Sequence, residues 1–178
     1  MKCSIRCVFL LLRGPCSGRR QRGPVREEEG KGPIQRFLAN QAKKHKIWLV
    51  GGSIPLEASI PNKVRNTCLV YDDKGKVVAR YDKIHLFRFD NGTESYDESR
   101  VLQAGHLPVQ FALPSRDGHL WRVGLSICYD LRFPELYRLY TDQGAHLLLV
   151  PSAFTYGTGQ AHWDILLRSR AIENLAFV

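Results

Sequence analysis

The residues best able to do chemistry lie between Arg122 and Leu136, in the run R-V-G-L-S-I-C-Y-D-L-R-F-P-E-L. Val123, Leu125 and Ile127 alternate with small residues as far as Cys128; Tyr129-Asp130-Leu131-Arg132 then breaks the alternation before Pro134 opens a helical run. The pattern predicts a buried strand, a sharp turn and a helix start, with a thiol at the bend. A side chain there projects from the end of a sheet toward the base of the next helix, where free backbone N–H groups and the helix dipole favour a developing negative charge. Cys128 is therefore placed like a nucleophile. Cysteine is also a common buried small hydrophobe, and reactivity requires an exposed, electropositive setting.

Other side chains near the bend have two readings. Arg132 suits planar, bidentate recognition of a substrate carboxylate, or a structural ion pair with Asp130 or Glu135, and the ion pair is slightly preferred. Asp130 and Glu135, beside a helix start, are accounted for by capping and the helix dipole. His85 and His162 raise the idea of a Cys–His dyad, but their spacing to Cys128 gives it no support, and both read as structural. Cys3, Cys7, Cys16, Cys68 and Cys128 are odd in number and show no metal-like spacing, since Cys3, Cys7 and Cys16 lack a fourth ligand nearby. Reduced thiols in a cytoplasmic protein, with no metal, are the expectation.

The elements that must position these residues follow from periodicity and turn residues. Ile34, Phe37, Leu38 and Ala42 recur at helical spacing after Pro33, with Lys43 to Lys46 suiting a helix C-terminus, and Ile47 to Val50 reads as a short buried strand ending at Gly51-Gly52. Asn66 to Tyr71 and Lys76 to Tyr81 form a hairpin through Asp72-Asp73-Lys74-Gly75, which delivers Lys83 just past its second strand. Phe89 to Leu107 reads as a long polar loop containing Glu98. Val109 to Leu113 and Leu120 to Cys128 form a second hairpin, Pro134 to Gln143 a helix, Ala145 to Val150 a strand, Ala161 to Asn174 an amphipathic helix, and Ala176 to Val178 the beginning of a strand. Helices and buried strands alternate in the second half while hairpins dominate the middle, so the fold class is α/β with mixed sheets.

Length and charge bound the partners. At 178 residues the chain is one domain at most, and 44% hydrophobic with 24% charged residues is ordinary for a soluble globular protein. Its formal charge of +9 is concentrated in residues 1–26, which hold seven basic residues and no acid, whereas the other 19 basic residues face 17 acids. The body is nearly balanced, so no nucleic-acid partner is expected. The apolar run Val8 to Leu12 is too short to span a bilayer and short for a secretory signal, so no membrane partner or targeting signal is read. Residues 1–26 form an irregular basic segment, and residues 27–178 the domain.

Four runs in order carry a resemblance: Y-D-K-I-H-L-F at Tyr81 to Phe87, C-Y-D-L-R-F-P-E-L at Cys128 to Leu136, P-S-A-F at Pro151 to Phe154, and A-H-W-D-I-L-L-R-S-R-A-I-E-N at Ala161 to Asn174. Together they resemble the nitrilase superfamily of carbon–nitrogen hydrolases, in its amidase branch near the omega-amidase and deaminated-glutathione amidase group. The resemblance covers about Gly32 to Val178. It implies an α-β-β-α sandwich whose subunits pair through their helices as a homodimer or higher homo-oligomer. It also implies hydrolysis of a small carboxylate-bearing amide through a cysteine thioester, with release of ammonia and no cofactor. Cys128 matches the nucleophile, the Tyr129 N–H one oxyanion donor, and Lys83 the charge-stabilising lysine. Glu98, with Asp97 as the rival position, falls where the amidase branch carries a second glutamate; Arg132 and Phe154 are candidate substrate contacts.

The resemblance also implies a general-base glutamate in a Pro-Glu pair at the end of an early strand. The first acid here is Glu27, and Glu27, Glu28 and Glu29 precede the Pro33 helix rather than end an apolar strand, so none matches. Further strands are implied beyond Val178, and the expected domain is therefore a sandwich truncated at both ends. Lacking the base, turnover is expected to fall by roughly 10²–10⁴-fold. The alternative reading is a catalytically inactive nitrilase-like remnant that serves as a partner-binding module.

Overall fold

A computed structural model describes the backbone of residues 7–11 and all of residues 26–93 and 95–178. Four strands form the first sheet, in the order β1 (Cys7–Leu11), β2 (Trp48–Glu57), β3 (Val64–Tyr71) and β4 (Val77–Asp82). The second sheet is β7 (Gln110–Pro114), β8 (Leu120–Leu125) and β9 (Leu147–Leu149), and β5 (Arg88–Asp90) pairs with β6 (Ser95–Asp97) as a separate ribbon. Among the described residues three helices complete the fold: α1 (Pro33–His45), α2 (Pro134–Asp142) and α3 (Tyr156–Asn174).

Alternation along the strands divides the interior into three apolar layers. On β3, Leu69 and Tyr71 face Leu38 and Ala42 of α1, while Cys68 and Val70 face the other way, toward Phe111, Leu113, Val123 and Leu125 of the second sheet. The far side of the second sheet packs Leu148 against Leu136, Tyr137 and Tyr140 of α2, with Trp163, Leu166 and Leu167 of α3 at the margin. The layers are helix, sheet, sheet, helix, the α-β-β-α sandwich expected from the resemblance.

The two hairpins form as the sequence predicts: β3 pairs antiparallel with β4, and β7 with β8. At the first turn Asp72 Oδ1 accepts from the N–H groups of Lys74 (3.0 Å) and Lys76 (2.8 Å). Gly75 adopts a φ of +80°, and a Cβ there would lie 2.5 Å from the Ala39 carbonyl oxygen, so only glycine lets the turn sit against α1.

Several elements differ from the sequence expectation. Gly51-Gly52 does not end β2, which continues to Glu57; the register against β3 shifts between Gly51 and Ile54. The glycine pair thus marks a bulge rather than a terminus, and it moves the α1-facing positions from Leu49 to Ile54 and Leu56. Helix α3 starts at Tyr156, ahead of Ala161, with Gly159 N–H donating to the Thr155 carbonyl (2.8 Å). The Phe89 to Leu107 stretch is partly ordered by the β5–β6 ribbon and a 3₁₀ turn over Glu98–Arg100.

The reading of residues 1–26 as irregular is corrected at Cys7–Leu11, which pairs in parallel with Trp48 to Gly52. A continuous apolar run is the pattern of a parallel strand, and Val8 to Leu11 is such a run. The rest of residues 1–25 lies outside the described residues, and with it the reading of Cys3, Cys7 and Cys16 as a metal-free set. At the other end Phe177 bridges in parallel to Leu147, the strand start that the sequence predicts. Among the described residues no helix is long and apolar enough to cross a membrane.

Candidate active site

Lys83 and Glu98 come together from different elements. Lys83 follows β4, its N–H donating to the Asn66 carbonyl (2.9 Å), and its side chain is 1% exposed. A buried ammonium needs a partner, and Nζ lies 2.5 Å from Glu98 Oε2. Glu98 is held in place by Phe87, which accepts from the Glu98 N–H (2.9 Å) and donates its own N–H to Oε2 (2.7 Å). Asp97 instead caps the 3₁₀ turn, accepting from the N–H (3.0 Å) and hydroxyl (2.6 Å) of Ser99. Of the two rival carboxylates, Glu98 is the one that faces Lys83.

Cys128 sits where β8 breaks into a 3₁₀ turn over Cys128–Arg132. Its φ of +52° is unusual for a residue with a side chain, and its N–H donates to the Pro151 carbonyl (2.9 Å). Burial pushes the thiol pKa up; the Lys83 ammonium and a backbone bond at Ala153 pull it down, and the Glu98 and Asp130 carboxylates add to the rise. The net direction is upward, so the neutral thiol is favoured. Cys128, Lys83 and Glu98 are thus within electrostatic reach of one another. Tyr129, whose N–H is the expected oxyanion donor, lies in the first turn of the same 3₁₀ segment, where backbone N–H groups have no partner earlier in the helix.

Asp130 does more than cap the turn. It is fully buried; Oδ2 accepts from the Ile127 N–H (2.8 Å) and the Tyr81 hydroxyl (2.6 Å), and Oδ1 from the His85 N–H (2.9 Å) and Nδ1 (2.7 Å). One carboxylate therefore ties the nucleophile's turn to the β4 end and to the segment that carries Lys83. Burial, with Asp130 alongside, drives the Tyr81 hydroxyl pKa far upward, so that it stays a donor. The His85 ring also stacks on Phe133, with centroids 3.6 Å apart, in keeping with its structural reading. Nothing in the sequence marked Asp130 as a hub, because its donors lie up to 49 residues away.

The preferred pairing of Arg132 with Asp130 or Glu135 is not what the structure contains. Asp130 is committed to its four donors, and among the described residues no carboxylate pairs with Arg132. Its guanidinium lies 5.9 Å from the Tyr129 and Phe154 ring centroids, and Nη2 is 3.0 Å from Nδ1 of His162. Phe154 also packs edge-on against Trp163, and both line a cavity of about 340 Å³ with Ser152, Thr155, Gly159 and Gln160.

The three early acids, none of which matches the general-base glutamate in sequence, are each engaged by other groups. Glu27 is buried and accepts from the Ile34 N–H (2.6 Å), the Gln35 N–H (3.2 Å) and Gln35 Nε2 (3.0 Å). A Cβ at Gly32 would overlap that carboxylate at 1.7 Å, so glycine is required beneath it. Glu28 pairs with Lys31, and Glu29 with Arg80. Among the described residues no three His, Cys, Asp or Glu side chains are grouped to hold a metal ion.

The carbon-nitrogen hydrolase family model matches residues 15–178, a span reaching further toward the N-terminus than the motifs do. The chain belongs to that family. The deaminated glutathione amidase of Yersinia enterocolitica is 41% identical over 152 residues, and the omega-amidase NIT2 of Homo sapiens 42% identical over 156. These alignments cover 83% and 87% of this chain but 51% and 54% of the relatives, so the chain spans about half their length. Among solved structures, Saccharomyces cerevisiae Nit3, described as a member of branch 10 of the nitrilase superfamily, is 36% identical with a TM-score of 0.69. The match covers 85% of this chain and 51% of that one. An amidase from Nesterenkonia sp. AN1, solved with acrylamide added at its active-site cysteine, is 31% identical with a TM-score of 0.63 over 80% of this chain and 50% of that one. The family assignment and the sandwich fold read from the four motifs both stand.

Proposed function

We propose that the chain carries the catalytic centre of an amidase that cleaves a small carboxylate-bearing amide through a thioester on Cys128. The observation that carries the proposal is the buried Lys83–Glu98 pair within electrostatic reach of a strand-end cysteine, in a family whose named members include omega-amidases. Cys128 Sγ attacks the amide carbonyl carbon, forming the C–S bond and placing the carbonyl electrons on oxygen. The Tyr129 N–H and the Lys83 ammonium stabilise that oxyanion, and Glu98 holds Lys83 in place. Collapse breaks the C–N bond, and ammonia leaves with the proton given up by the thiol. Water then hydrolyses the thioester to the free acid and restores the thiol.

Arg132 is the substrate-carboxylate partner in this reading. It is a cation with no carboxylate beside it among the described residues, held near two aromatic rings four positions after the nucleophile. Phe154 supplies the wall between that guanidinium and the cavity. Exposed Ile165, Ile172, Leu175 and Phe177 on and after α3 support pairing of subunits through that helix. The free thiol of Cys128 supports a reducing, cytoplasmic setting.

The test is ammonia release from the monoamide of a short dicarboxylic acid. Because Glu27, Glu28 and Glu29 do not match the general-base glutamate and are each engaged by other groups, we expect a rate roughly 10²–10⁴-fold below that of a family member that carries one. The activity is expected to disappear in Cys128→Ala. Release that persists in Cys128→Ala contradicts the proposal, and no release at all favours the inactive, partner-binding reading.

A further inference from the structure

We propose that His162 is a positioning residue that holds Arg132 ready for the substrate carboxylate; the inference rests on the reading of Arg132 given above. Arginine can only donate hydrogen bonds, so the 3.0 Å contact between Nη2 and His162 Nδ1 requires an unprotonated Nδ1 and a neutral ring with its proton on Nε2. The contact joins α3 to the turn that carries the nucleophile, across 30 residues of sequence. It uses one of five guanidinium N–H donors, while the Tyr129 and Phe154 rings lie near the guanidinium without using any. The remaining donors form a planar fork of the kind that carboxylates accept bidentately.

The benefit is preorganisation. A free arginine side chain loses rotamer freedom when it is fixed, and an arginine already fixed by His162 and two rings does not lose it again on binding. His162 does not touch the substrate in this arrangement. Its effect is therefore confined to ligands that carry a carboxylate.

The test uses alkylation of Cys128 in the full chain by chlorolevulinate and by its methyl ester, a pair that differs only in the carboxylate. In each case the Cys128 sulfur displaces chloride, forming the C–S bond as the C–Cl bond breaks, and the thiol proton passes to water. The readout is the acid-to-ester ratio of rates at Cys128, which needs neither a general base nor amide turnover. We expect wild type to favour the acid by about tenfold, His162→Ala to bring the ratio close to one, and His162→Gln, whose Oε1 can still accept from Nη2, to restore most of it.

If His162→Ala keeps the wild-type ratio while Arg132→Ala abolishes it, the carboxylate reading stands and the positioning role is overturned. An equal fall in both rates in His162→Ala makes the residue merely structural and likewise overturns it. Absence of acid preference in wild type, or its survival in Arg132→Ala, overturns the carboxylate reading and this inference with it.

Discussion

The Lys83 ammonium and the Glu98 carboxylate lie 2.5 Å apart although 15 residues separate them, with Lys83 1% and Glu98 17% exposed. Removing one partner leaves the other as an uncompensated charge. Glu98→Leu is expected to cost about 3–5 kcal/mol of stability. The double replacement Lys83→Met with Glu98→Leu should recover most of that loss, because no buried charge remains. Denaturant unfolding of wild type, Lys83→Met, Glu98→Leu and the double variant checks this; an additive double variant shows that the pair is not coupled.

The same two residues act in opposite directions on Cys128. Alkylation follows the thiolate, so its rate climbs as pH rises through the thiol pKa, and a higher pKa moves the curve to higher pH. Burial holds that pKa above the ordinary cysteine value, Lys83 opposes the rise and Glu98 adds to it. Lys83→Met should therefore move the iodoacetamide pH–rate curve for Cys128 further up and slow labelling at neutral pH, whereas Glu98→Gln should move it down and speed labelling. Curves that do not separate in this order contradict the electrostatic arrangement.

Asp130 should matter as much as the residues it supports. In Asp130→Ala the buried Ile127 N–H and Tyr81 hydroxyl and the half-buried His85 N–H lose their acceptor. At about 1–3 kcal/mol for each unsatisfied group, the loss is about 3 kcal/mol or more. Asp130→Asn keeps one acceptor oxygen and should cost less. Thermal unfolding of the two variants decides it, and a loss under about 1 kcal/mol in the alanine variant shows that the four bonds do not hold the turn.

What could be read in the sequence was what lies close together along the chain. The strand, turn and helix around Cys128 and both hairpins follow from local periodicity and turn residues. The four motifs supplied the rest of the sandwich. Long-range polar geometry was not legible. Glu98 and Asp97 are adjacent and chemically alike, and only the β5–β6 ribbon, folding Phe87 back onto Glu98, separates their roles. Arg132 read more readily as a partner of nearby Asp130 because a sequence does not show that Tyr81 and His85 have already claimed that carboxylate. The strand at Cys7–Leu11 was obscured by the glycines, prolines and arginines around it, since its only local signal is a five-residue run whose partner lies some 40 residues on.

The most direct test of Cys128 as the acyl acceptor is the intact mass of the chain after brief reaction with a nitrophenyl half-ester of a short dicarboxylic acid. The nitrophenolate leaves without being protonated, so the acyl step needs no general acid. The account predicts one acyl group on Cys128, released by hydroxylamine as a thioester and absent in Cys128→Ala. Acylation spread over Cys68 or lysines, or none at Cys128, contradicts it.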